Sequence, residues 1–224
     1  MIPFSNWFIL FFLHFAFLFL IGNGDKKKSE LSSVSTSLII IYSSEILVYL
    51  ISIIFNFRFL SSLLITSSVY IVFFFLSKRI FSEFKFEGLK VLNIFITIIS
   101  AVCFAFFIEN LFNTSSFENL DFYIISNGYI YAFLFLCVLP AIFEEFFFRG
   151  VVLNKLLKIY SNTNAVLISA VFFGFIHFVF HPLTSFIYLF LLGIILGLIK
   201  IIFRNIAYTI IFHLTYNLMV LIIL

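Results

Sequence analysis

Residues 129–150 read YIYAFLFLCVLPAIFEEFFFRG, an apolar run that closes on two adjacent acids and an arginine. A helix needs roughly 20 apolar residues to cross a bilayer, and this run supplies them. It lacks the alternation of apolar and polar positions that marks a barrel strand, so it reads as a helix. The rest of the chain repeats the pattern. Of 224 residues, 64% are hydrophobic, 38 are Phe and only 10% are charged, whereas a soluble domain averages about 25% charged. A soluble protein of this size needs far more polar cover for its surface. Backbone groups in hydrocarbon must also be satisfied within their own segment, which again favours helices. The expected fold class is all-α, a polytopic membrane helix bundle.

Working outward from that run, about eight transmembrane helices are expected, at 4–21, 38–55, 59–76, 91–108, 129–148, 165–180, 183–199 and 206–224. Basic residues test the count. Lys26, Lys27, Lys28, Lys78, Arg79, Lys85, Lys90, Lys155, Lys158, Lys200 and Arg204 fall in odd-numbered loops, against Arg58 in an even one. The positive-inside rule then puts the odd loops in the cytoplasm and both termini outside, in a multi-pass protein of the cell membrane. The residues before the first span carry no positive charge and no clear small-residue cleavage site follows it, so it reads as a retained anchor. The loop 109–128, with Glu109, Glu118 and Asp121, reads as a solvated connector. The net charge of +3 is too small and too scattered for a nucleic-acid partner. Cys103 and Cys137 lie in apolar runs and read as small hydrophobes. The chain divides into 1–128, membrane helices of unassigned role, and 129–224, where the polar motifs gather.

An ionisable side chain at mid-bilayer costs at least ~2.5–3.5 kcal/mol, so each one asks for a reason. The spans contain His14, Glu45, Glu144, Glu145, His177 and His213, with Arg149 and His181 just beyond a span end. On a helix Glu145 and Arg149 are four apart with the acid first, the favoured order for a pair on one face. Such a pair serves equally as a brace between helices and as part of a site. Glu144 projects about 100° away, and beside a neutralised carboxylate it has no evident structural use. Pro140 leaves the carbonyl of Leu136 without its helical donor, so a kink is expected just before the acids. His177 is flanked by apolar residues and needs a polar partner. With His181 it has the four-residue spacing of paired metal ligands, but His181 adjoins Pro182 at the span's outer end and reads as interfacial. His213 and Asn217 also share a face, and alone they read as polar glue between helices. Glu45 either pairs with a site residue or faces a wet cleft, and His14 reads as a satisfied polar contact. At a rise of roughly 1.5 Å per residue from the cytoplasmic side, Glu144, His177 and His213 lie about 16, 20 and 13 Å deep, with Asn217 about 6 Å beyond His213. Three helices thus present polar groups in one layer, which marks a site.

A carboxylate held out of bulk water beside an imidazole suits abstraction of a proton from water. A second imidazole and an amide suit donation to an oxyanion forming on a carbonyl. Glu144 and His177 in the first role, with His213 and Asn217 in the second, suffice for water attack on an amide without a serine or cysteine nucleophile. Alternatively Glu144, His177 and His213 hold zinc with water in the fourth position. Residue types and spacings leave both open.

Glu144-Glu145-Phe-Phe-Phe-Arg149-Gly150, Phe173-x-x-x-His177 and His213-x-x-x-Asn217 resemble, in order and spacing, the three motifs of the CPBP family of intramembrane proteases. These are the CAAX-protease, Abi-type and bacteriocin-processing enzymes. Pro140 and the pair Gly193 and Gly197 also resemble the family pattern, and the resemblance is confined to the last four spans. It implies a helical core with its site inside the bilayer, open to the cytoplasm, and hydrolysis of a peptide bond near a C-terminus or in a leader peptide. It further implies that Glu144 and His177 activate water, that His213 and Asn217 stabilise the oxyanion, and that Glu145 and Arg149 position the site. The family is often labelled metalloprotease, although a metal-free glutamate mechanism has also been argued for it. No HExxH helix is present, which favours a mechanism with no required cofactor and leaves zinc as the alternative. The implied partners are the lipid bilayer and a peptide or protein substrate, prenylated or a leader peptide. The Phe-, Ile- and Asn-rich composition suits a bacterial, AT-rich genome. Two other readings compete. One is a non-enzymatic membrane scaffold or bacteriocin-immunity protein that keeps the fold. The other is a small transporter with a proton relay, which calls for a repeat or broken helices that the sequence does not show.

Overall fold

The structure is a computed structural model and describes residues 29–36, 38, 88–112, 128–177 and 183–223. Its principal elements are α1 (Val91–Phe112), α2 (Tyr129–Leu156), α3 (Asn162–His177), α4 (Leu183–Phe203) and α5 (Ile206–Ile223), with a short helical stretch at 29–36. No strand occurs among the described residues. α1, α2 and Ser185–Phe203 of α4 are long and apolar enough to cross a membrane, while α3 and α5 are shorter apolar helices. The described residues are helical throughout their regular structure, and their apolar helices mark a membrane protein. The expected spans at 4–21, 38–55 and 59–76, with His14 and Glu45, lie outside the described residues apart from Leu38, and so does His181.

Two expectations change. α2 does not stop at 148 but continues to Leu156, because Val151, Val152, Leu153 and Leu156 carry the buried face onward. Arg149 does not end the apolar segment, since Glu145 neutralises it inside the protein. Likewise α1 runs past 108 to Phe112, so Glu109 is a half-buried helical residue and not part of a solvated connector. The irregularity expected before the acids takes the form of π-type turns over Phe133–Val138. An α-helical segment, Leu139–Glu145, follows with Pro140 near its start, where a missing N–H is least disruptive. Further π-type turns run from Phe146 to Leu153. Such widened turns are rare and frequently accompany functional sites.

Small residues set how the helices pack. A Cβ at Gly193 would come 2.9 Å from the Cα of Ala170, and one at Gly197 would come 2.9 Å from a methyl of Val166. Advancing along α4 therefore means retreating along α3: the two are antiparallel and in close backbone contact, as small interfacial residues allow. α1 and α5 begin at the same end, where the backbone N–H of Lys90 donates to the Tyr208 hydroxyl at 2.8 Å. Higher up, the Phe104 ring lies 6.2 Å from Phe212 and 5.7 Å from Tyr216. Phe147, Phe148, Phe173, Leu192 and Phe212 belong to the buried centre. The stretch 29–36 contributes Val34 to that core and meets the end of α2 through Lys155 with Ser33 and Lys158 with Glu30. Cys103 and Cys137 are free thiols.

Candidate active site

Glu145 and Arg149, one turn apart on α2, form an ion pair at 2.8 Å with both side chains fully buried. Buried charges persist only when their remaining hydrogen-bonding groups are also engaged. Arg149 meets most of that demand. Its Nη1 donates to Glu145 Oε1, its Nη2 donates at 3.1 Å to the carbonyl of Gly193 on α4, and its Cζ stands 4.6 Å over the centre of the Phe173 ring. Gly193 can offer its carbonyl there because α4 and α3 touch with no side chain between them. Glu145 Oε1 also accepts from His213 Nδ1 on α5 at 3.0 Å. One carboxylate oxygen thus ties α2 to α5, and one guanidinium ties α2 to α4.

Glu144 faces elsewhere. Its Oε2 lies 3.4 Å from His177 Nε2 on α3 and 4.0 Å from His213 Nε2 on α5. The Glu144 and His177 side chains keep 13% and 18% exposure, against 4% for His213 and none for Glu145 and Arg149. The cluster therefore has an open edge, formed by Glu144 and His177, and a sealed back. The histidine tautomers follow from their partners. His177 Nδ1 faces the carbonyl of Phe173 at 2.8 Å; a carbonyl can only accept, so the hydrogen sits on Nδ1. Glu145 fixes a hydrogen on His213 Nδ1 in the same way. Both Nε2 atoms are thereby turned to Glu144, whose Oε2 has no full hydrogen-bond partner among the described residues. A proton at this edge would have a carboxylate and two imidazole nitrogens within reach. The separations are within direct or one-water reach, as general acid–base chemistry requires.

Glu144, Glu145, Arg149, His177 and His213 come together. Asn217 is half-buried one turn beyond His213, and its side chain has no partner among the described residues. Two contributors, the Gly193 carbonyl and the Phe173 ring, belong to residues that the sequence motifs include without assigning them a role. The Gly193 carbonyl leaves no mark in a sequence, since backbone acceptors are everywhere. Phe173 has its ring 4.8 Å from that of His177 and 5.8 Å from that of His213, and it does carry a signal: it lies one turn before His177 on the same helix face. Zinc ligation by Glu144, His177 and His213 is the other reading of these residues. As they are placed, no three His, Cys, Asp or Glu side chains among the described residues form a group able to hold a metal ion.

Residues 126–219 match a family model described as type II CAAX prenyl endopeptidase Rce1-like. The matched stretch holds all three motifs and all five clustered side chains, and it supports the likeness to the CPBP family. No curated protein and no solved structure matches the chain.

Proposed function

We propose that the protein is an intramembrane endopeptidase of the CAAX-protease type, hydrolysing a peptide bond with water activated by Glu144 and His177 and with no required cofactor. The observation that supports this reading most is the pair of contacts from the buried Glu144 Oε2 to two imidazole Nε2 atoms, at 3.4 and 4.0 Å, just inside the edge where the Glu144 and His177 side chains keep some exposure. Water between Glu144 and His177 gives one proton to Glu144 as its oxygen attacks the carbonyl carbon. His177 Nε2 accepts a hydrogen bond from the other proton and so orients the attack. His213, donating from Nδ1 to Glu145, donates from Nε2 to the oxyanion when it carries both protons. The Asn217 amide, without a partner among the described residues, donates beside it. The tetrahedral intermediate then breaks its C–N bond, and the proton on Glu144 passes to the leaving amine. Arg149 holds Glu145 and Glu145 holds His213; neither exchanges a proton in the cycle. The substrate is a peptide or protein segment entering from the cytoplasmic side. A prenylated Cys-terminal tail fits the family match better than a leader peptide.

The test is cleavage of a farnesylated peptide and a leader-type peptide by the full chain in lipid nanodiscs. Glu144→Gln and His177→Ala are expected to lose 10²–10⁴-fold in rate, while a zinc chelator leaves the wild type active. Undiminished cleavage by Glu144→Gln would overturn the role given to Glu144, and no cleavage of either peptide by the wild type would reduce the cluster to a structural brace in a scaffold. Chelator inactivation reversed by zinc would overturn the metal-free mechanism.

A further inference from the structure

Phe173 accepts or donates no proton through its side chain, yet it touches three of the site residues. It is fully buried on α3. On its face stands the Arg149 guanidinium, 4.6 Å from the ring centre. Beside it lie His177 at 4.8 Å and His213 at 5.8 Å, the latter nearly perpendicular at 72°. Phe148 packs against it edge to face at 5.1 Å and 81°. An aromatic ring carries negative charge on its faces and positive charge at its edge, so the guanidinium is attracted where it sits, most strongly out of water.

The rest of Arg149 shows why this matters. Nη1 and Nη2 are engaged by Glu145 and Gly193, but Nε has no hydrogen-bond partner among the described residues. The Phe173 face is thus an attraction that acts on the guanidinium besides those two bonds. If the guanidinium tilts, Nη1 leaves Glu145 Oε1, the oxygen that also holds His213 Nδ1. The same residue fixes His177, whose Nδ1 donates to the Phe173 carbonyl.

We propose that Phe173 is a positioning residue whose aromatic face, beyond its bulk, orients the Arg149–Glu145–His213 chain and so sets the donor geometry of His213. Its kinetic consequence rests on the peptidase reading; its structural consequence does not. The experiment replaces Phe173 in the full chain with 4-fluoro-, 3,4,5-trifluoro- and pentafluorophenylalanine, which nearly preserve shape while draining charge from the ring face. Cleavage is measured together with the ¹⁵N signals of the histidine rings. The expected result is a stepwise fall in kcat, about tenfold by the end of the series, at unchanged KM. His213 nitrogen signals move stepwise away from the single tautomer, while those of His177, held by a backbone carbonyl, move less. Unchanged kcat and unchanged His213 signals across the series would overturn the assignment. If the wild type shows no Glu144-dependent cleavage, the peptidase reading fails alone. The His213 signals then decide the matter: stepwise movement supports the role of Phe173 and constancy refutes it.

Discussion

Replacing Arg149 by Met removes a buried charge at nearly constant volume and strands its partner. Arg149 holds Glu145 at 2.8 Å with both side chains fully buried, and after the change the carboxylate keeps only His213 Nδ1 at 3.0 Å. Breaking a buried pair from one side destabilises by about 3–5 kcal/mol, because an uncompensated charge remains in a medium that solvates it poorly. The bond to Gly193 O, at 3.1 Å, adds little to the loss, since that carbonyl also belongs to the α4 backbone ladder. Removing both charges with Glu145→Leu and Arg149→Met eliminates the stranded carboxylate, and buried pairs replaced by apolar residues are often neutral in stability. His213 then loses its Nδ1 acceptor, about 1–3 kcal/mol, so the double variant should recover a substantial part of the single variant's loss. The measurement is a double-mutant cycle by reversible unfolding in lipid bicelles, with cleavage followed in parallel. The double variant should be nearly inactive, because nothing then holds His213 Nδ1, whereas Arg149→Met keeps that contact and should lose activity only in part, its Glu145 no longer being anchored. A double variant as unstable as Arg149→Met, or more so, would refute the view that the stranded carboxylate dominates the loss.

Other substitutions probe the packing and the proposed donor. Gly193→Ala sets a Cβ 2.9 Å from the Cα of Ala170, forcing α3 and α4 apart; overpacking of this kind costs about 1–3 kcal/mol, and unchanged unfolding would contradict it. Asn217→Ala should lower kcat by about 10²–10³ as a lost oxyanion donor while leaving stability unaltered, since no described residue depends on that amide. A normal kcat would remove Asn217 from the mechanism. Tyr208→Phe deletes the acceptor of the Lys90 N–H, now at 2.8 Å, and should cost about 0.5–1.5 kcal/mol in unfolding without a change in KM.

Composition and local spacing reached far in this chain. Apolar excess is additive along a sequence, so 64% hydrophobic residues demand a non-aqueous environment whatever the contacts are. The four-residue rule is equally local, and the Glu145–Arg149 pair follows from one helix alone. What escaped depends on how separate helices rotate and approach. That Arg149 grips the Gly193 carbonyl, that Glu145 is shared with His213 and that Phe173 lies under the guanidinium all follow from the close seam of α3 and α4 and the turn of α5. α2 continuing past Arg149, and Glu109 remaining in α1, were hidden for the same reason. Charge looks like a boundary in one dimension, and it stops being one when a neighbour folded against it supplies the opposite charge or a polar contact. The residue types belong to the chain, while their partners belong to the packing, because hydrogen bonds and ring contacts act over a few ångströms that sequence distance does not measure.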